Sequence, residues 1–307
     1  MLREFFSDLK KVLGPDAAKR VGRKVLENDC LGLAGQLAYF ILLSLFPFLM
    51  FLVSLVVIVT SDPEATLRAL TETMDDLLPE DVVGILTAYI DRTLRNTTFG
   101  LLLVGILATL WSGWAATSAL IKGANRAYEL RETRPLWKLW SISVLMVLGF
   151  VLLIAALALV VFSPNAGGYI QRLTGLPEAL LILWGTLRWV LAFLTVTLTL
   201  AILYYLAPNA DLPFRWITPG GFAATVLMLV SGLALRFYVA NVGHYDQIYG
   251  QLGAVIVLMF WLYATSIMVL VGAETNAVLT RMAEERKGIK LVRSEGPLDE
   301  DGQRHER

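Results

Sequence analysis

Between Leu31 and Thr60 the chain runs thirty residues without one charged side chain. A helix of that length is about 45 Å long, and a bilayer core asks for only about 20 apolar residues. Five more stretches meet the requirement, at about 98–121, 139–162, 179–206, 216–240 and 250–280. Each is apolar on all sides, which marks a membrane span and not a striped surface helix. Composition agrees: 56% of the residues are hydrophobic and 17% charged, against about 45–50% and about 25% in a soluble domain. So much apolar surface cannot be hidden inside a water-soluble globule. The expectation is an all-α polytopic membrane protein with a bundle of six transmembrane helices over 31–280. An N-terminal amphipathic helix in 1–30, an extracytoplasmic helical hairpin in 61–97 and a disordered polar tail at 281–307 complete it.

Charge sorts the two sides of this bundle. Lysines and arginines total 26, and acidic residues total the same. Twenty of the basic residues fall in the first thirty residues, the loops after the second and fourth spans, and the tail. Four (Arg68, Arg92, Arg95 and Arg172) fall on the other side, and Arg188 and Arg236 lie within spans. Basic loops stay in the cytoplasm, so both termini are expected there, in a multi-pass protein of a bacterial inner membrane. No short early apolar run with a small-residue cleavage site is present, so a cleaved signal peptide is not expected.

Leu2, Phe5, Phe6, Leu9, Val12 and Leu13 recur at helical spacing among basic residues. Such a segment either lies on the inner leaflet, with Lys10, Lys11, Lys19 and Arg20 near anionic head groups, or packs on the protein itself. The outer loop carries eight acidic residues against three arginines. Its apolar positions (Leu67, Leu70, Met74 and Leu77, then Val82, Ile85, Leu86, Tyr89 and Ile90) follow a helical period. Pro79 breaks the pattern, and Asp81 is placed to cap the second helix.

Ionisable groups are costly inside a membrane and face protein or water. Arg188 is about nine residues into the fourth span, roughly 14 Å below the outer surface. With Arg236, Tyr245, Asp246 and Tyr249 it defines a candidate outer polar site, and Arg188 pairs with Asp246 or with an anion. A candidate inner site comprises Gln36, Lys122, Asn125, Glu274 and Asn276, with Lys122 or Gln36 as donor to Glu274. Pro47 interrupts the first span's hydrogen-bond ladder and serves as a hinge or a static kink. Ala34 and Ala38, Gly220 to Ala224, and Gly250 with Gly253 permit close helix crossings. Trp111 and Trp114, one turn apart, are expected to pack on neighbouring helices.

Several chemistries are absent from the sequence. Two histidines and one cysteine cannot supply a zinc cluster. Nothing organises a Ser-His-Asp set, and no phosphate-binding GxxxxGK[ST] loop occurs. Basic residues without interleaved aromatics do not suit nucleic acid. Hence no enzyme, metal or cofactor is expected. The partners expected are membrane lipids, an anionic or amphipathic substrate, and a second copy or an envelope protein.

Several stretches together carry a family resemblance. They are Leu37 to Phe40 with Leu45 to Phe48, Trp111 with Trp114, Asn125 with Tyr128, Pro208-Asn209 and Pro219-Gly220. The longest is Tyr245, Tyr249, Gly250, Leu252 and Gly253, continuing through Trp261 to Tyr263 and on to Gly272, Ala273, Glu274 and Asn276. Over about residues 20–285 the chain resembles the YihY/virulence factor BrkB family of bacterial inner-membrane proteins, formerly labelled ribonuclease BN-like. The resemblance implies six spans and an envelope location, but no agreed catalytic residues. The two polar groups and the lack of an enzyme constellation make a transporter-like role for an amphipathic or anionic, lipid-like substrate the leading expectation, with a non-transporting scaffold or envelope-assembly protein as its rival.

Overall fold

The computed structural model of the chain describes residues 14–68, 71, 80–96, 98–161, 178–210, 212, 216–241 and 252–287. Eight helices of thirteen residues or more run through them: α1 Pro15–Glu27, α2 Cys30–Val59, α3 Glu80–Asn96, α4 Phe99–Ala127, α5 Leu136–Val161, α6 Glu178–Leu206, α7 Pro219–Asn241 and α8 Leu252–Lys287. The molecule is an all-α polytopic membrane protein. Cys30–Val59, Phe99–Ala127, Trp189–Leu206, Pro219–Val239 and Gly253–Glu285 are each long and apolar enough to cross a bilayer. The remaining long helix, α5, has 26 residues, with an apolar stretch at Leu136–Phe150.

Local chemistry starts these helices. Pro15 opens α1, where its missing N–H costs nothing. The Asp29 carboxylate accepts from the Gly32 N–H at the head of α2, and the Thr98 hydroxyl accepts from Leu101 N–H at the head of α4. Pro47 lies inside α2, which continues helical to Val59.

Two helices outrun their predicted spans. α4 continues six residues beyond Ile121 to Ala127, and α8 runs to Lys287. Lys122 and Arg126 mark the end of apolar sequence, but they point outward while Gly123, Ala124, Asn125 and Ala127 stay buried. Packing, not hydropathy, sets that boundary. Asp81 lies inside α3 and not at its cap. The apolar residues at 2–13, most of the first half of the outer hairpin and the tail from 288 lie outside the described residues.

The long helices form a ring in which α2, α4, α5, α6, α7 and α8 each touch the next, α8 closes on α2, and α4 also meets α8. The seam between α2 and α4 is tight because Gly105 has no side chain. A Cβ there would sit 2.9 Å from the Phe51 backbone nitrogen.

Packing differs between the two ends of the ring. At the end carrying α1 and the α4–α5 turn, hereafter the basic end, Ala127, Leu200, Tyr204, Ala224, Ala273 and Ala277 join four helices in one cluster. Ile121, Ala124 and Ala207 bring in α5 through Leu139 and Ile142. At the opposite end the core comprises Leu49 and Val53 of α2, Leu67 of the outer loop, Val82, Leu86 and Ile90 of α3, and Val257 and Leu258 of α8. There no described side chain of α6 between Leu187 and Val196 is buried, and none of α7 from Val226 to Val239.

Large apolar side chains face outward along the ring, among them Leu103, Leu107 and Trp111 on α4 and Leu229, Leu233 and Phe237 on α7. In a soluble protein such a surface would aggregate; in lipid it is the solvated face. Trp111 is 69% exposed, which corrects its assignment to interhelical packing. Trp114 does pack, with its ring stacked on Trp140 at 5.0 Å and 4° between planes. Trp137 and Trp216 are exposed near the heads of α5 and α7, the depth at which interfacial tryptophans gather.

Candidate functional site

The five residues proposed for an inner polar site do not form one site. Glu274 and Asn276 are two positions apart on α8, which turns their side chains about 200° from each other. Asn276 faces α7: its Oδ1 accepts from Gly220 N–H at 2.8 Å and its Nδ2 donates to Thr218 Oγ1 at 3.2 Å. Thr218 Oγ1 also accepts from Gly221 N–H. Two otherwise orphaned N–H groups at the head of α7 are thereby satisfied, so Asn276 is a helix cap supplied by a neighbouring helix.

Asn125 has a comparable task. Its Oδ1 accepts from the Asn209 backbone N–H at 2.7 Å, and its Nδ2 donates to Glu132 at 2.8 Å. Asn209, fully buried, donates in turn to the Arg131 carbonyl and to Thr133 Oγ1. Arg134 forks onto both oxygens of Glu132 and also donates to the Leu206 and Ala207 carbonyls at the end of α6. Burial pushes the Glu132 carboxyl up, but the bonds from the Arg134 side chain and backbone and from Asn125 together hold it below the usual carboxylate range.

Gln36 and Lys122 are exposed, while Leu33, Ala34 and Leu37 on α2 and Ala124 on α4 are buried. Neither reaches Glu274, which corrects the proposed donors. The partners of Glu274 come from the α1–α2 joint. Asn28 Nδ2 donates to Oε1 at 2.6 Å and Cys30 Sγ to the same oxygen at 3.6 Å. Glu274 is 1% exposed, and its Oε2 meets no partner among the described residues. The asparagine pair at the inner site caps backbone; Glu274 caps none.

Ion pairs surround this node at the surface. Glu129, in the left-handed region at φ 56°, accepts from Lys24 at 3.0 Å and Arg281 at 2.8 Å. The Lys24 bond is the foremost reason its carboxyl titrates below the usual range. Arg281 also donates to the Ala127 carbonyl, closing α4. Arg20 pairs with Glu285 at 3.0 Å. These contacts bring α1, the α4–α5 turn and the end of α8 to one face.

Of the candidate outer site, Tyr245, Asp246 and Tyr249 lie outside the described residues, as does the Arg188 side chain. The backbone places Arg188 on α6 in the loosely packed half. Arg236 is exposed near the far end of α7. Among the described residues no three His, Cys, Asp or Glu side chains gather where a metal ion could be held. Sequence reasoning missed Asn28, Cys30, Asn209 and Arg134. The Asn28-Asp29 and Pro208-Asn209 pairs between helical stretches were the available signals, because such residues favour caps and turns.

Taken together, these observations define an all-α integral membrane protein with one capped, ion-paired end and an opposite end where the described α6 and α7 side chains are not buried. It belongs to the virulence factor BrkB family, whose pattern matches residues 21–295. It is similar to YfkH of Bacillus subtilis, a protein described as ribonuclease-like, at 33% identity over 248 residues, 80% of this chain and 88% of that one. A UPF0761 membrane protein of Alkalilimnicola ehrlichii is 30% identical over 272 residues, 87% of this chain but 58% of its own length. Another UPF0761 membrane protein, from Aeromonas salmonicida, is 29% identical over 251 residues, 80% of this chain and 82% of that one. No solved structure matches.

Proposed function

We propose that this chain is a transporter-like protein of a bacterial inner membrane that handles an amphipathic, anionic, lipid-like substrate. Both termini lie in the cytoplasm in this reading. The observation that carries it is the packing asymmetry: helices locked by caps at the basic end, and α6 and α7 unburied toward the other. A carrier resting closed to one side and yielding on the other has this form. The exposed apolar faces of α6 and α7 suit acyl chains, and Arg188 is the group for the anionic head. The lipid-like class follows from that pairing of an apolar surface with a membrane cation.

The reading includes no catalytic step, so the ribonuclease-like description of the Bacillus relative is not extended to this chain. The test is reconstitution into liposomes carrying a fluorescent anionic phospholipid, with transbilayer movement read by quenching of the outer leaflet. Protein-dependent movement, reduced at least several-fold by Arg188→Gln, is the expected result. Movement no faster than in empty liposomes would sink the proposal.

A scaffold is the second reading, favoured by the exposed stripe Val226, Leu229, Val230, Leu233 and Phe237 on α7. Its spacing fits a partner helix. A stoichiometric partner in purified complexes, with no lipid movement, would select it.

A further inference from the structure

The joint between α1 and α2 is built on a short, conformationally costly turn. Asp29 stands in the left-handed region at φ 51°, which L-residues with a side chain adopt at a cost. On either side of it, Asn28 closes α1 and Cys30 opens α2, and both side chains turn inward onto the one Glu274 oxygen. Two surface ion pairs, Arg20–Glu285 and Lys24–Glu129, also tie α1 down, but they are half exposed. Exposed pairs are worth little. The buried contact is the tie shielded from water.

Both groups on that oxygen are donors, and an ionised carboxylate is acceptor-only. A protonated carboxyl accepts more weakly and must itself donate. From this geometry we infer that Glu274 is a proton-binding site whose occupancy locks or releases the α1–α2 joint. Ionised, it holds Asn28 and Cys30. When a proton from solvent binds the carboxylate, the charge is lost, both bonds weaken, and the new O–H has no acceptor among the described neighbours. The charged and titratable groups facing the node are Lys24 of α1, Asp29 and Cys30 at the joint, Arg126 of α4, Glu129 of the turn and Arg281 of α8. The inference is independent of substrate transport, because its readout is local to the joint.

Cys30 makes the readout simple, since it is the chain's one cysteine and is buried. Purified full-length protein in detergent is reacted with N-ethylmaleimide. Each rate is divided by that of the detergent-unfolded chain at the same pH, which removes the thiol's own ionisation. The normalised rate should rise about tenfold or more from about pH 8 to about pH 5 as the joint opens locally. Glu274→Gln should abolish that dependence. Asn28→Asp sets two carboxylates face to face, which share a hydrogen bond only when one carries a proton. Its trend should therefore reverse, with Cys30 better protected at the lower pH. A flat wild-type profile overturns the inference, as does a Glu274→Gln profile that follows the wild type. Should Glu274→Gln fail to fold, the Asn28→Asp profile decides: reversal supports the site and the wild-type trend refutes it.

Discussion

Arg134 illustrates how much a single side chain does at the basic end. Its side chain is 5% exposed and divides its donors between Glu132 and two carbonyls that end α6. Arg134→Ala would strip both carbonyls of their donor and leave Glu132 only its bonds from Asn125 and the backbone N–H. We expect a loss of roughly 3 kcal/mol, read as a lowered thermal-unfolding midpoint in detergent. Arg134→Lys should recover little, because an ammonium cannot reproduce the fork; full recovery would contradict the capping role. None of this was visible in the sequence, where Arg134 was one of twenty basic residues counted toward topology. Polarity and depth did single out Asn125, Glu274 and Asn276, all of them buried. What they could not supply was direction around a helix. Gln36 and Lys122 have similar depth and polarity but project outward, and Asn276 turns its back on Glu274. Partners are set by tertiary placement of helices, which no single chain position encodes.

At the level of elements, hydropathy places α2, α6 and α7 within a few residues of their observed bounds, because a span begins and ends where charge does. It fails at the ends of α4 and α8, where buried small residues and ion pairs carry the helix past its first charges. The crossing of α7 and α8 depends on the small residues noted in the sequence. A Cβ on Gly272 would collide with the Tyr204 hydroxyl, Ala224 and the Gly220 carbonyl, whereas nothing lies within 4 Å of one added to Gly232 on α7. Gly272→Ala should destabilise by about 1–3 kcal/mol through overpacking. Gly232→Ala should cost nothing and gain up to about 1 kcal/mol from helix propensity. Equal midpoints for the two variants in thermal unfolding would show that the crossing is not tight.

For the molecule as a whole, the distribution of basic residues predicts both termini in the cytoplasm. α1, the α4–α5 turn and the end of α8 share a face, which in this orientation is the cytoplasmic one. A fluorescent protein that matures only in the cytoplasm should therefore glow when fused to either terminus. An alkaline phosphatase fusion after Asn96 should be active, and an inactive fusion there would invert the topology. Asn28 and Glu274 are 246 positions apart, so the first helix of the bundle obtains its buried partner only after the last one has been made. At about 5–20 residues per second, the newborn α1–α2 segment waits on the order of 10–50 s in the membrane with its asparagine and thiol uncovered. During that interval whatever guards polar groups in lipid, an insertase or an attendant chaperone, must stand in for Glu274. A chain truncated before α8 should remain in such hands, not settle alone.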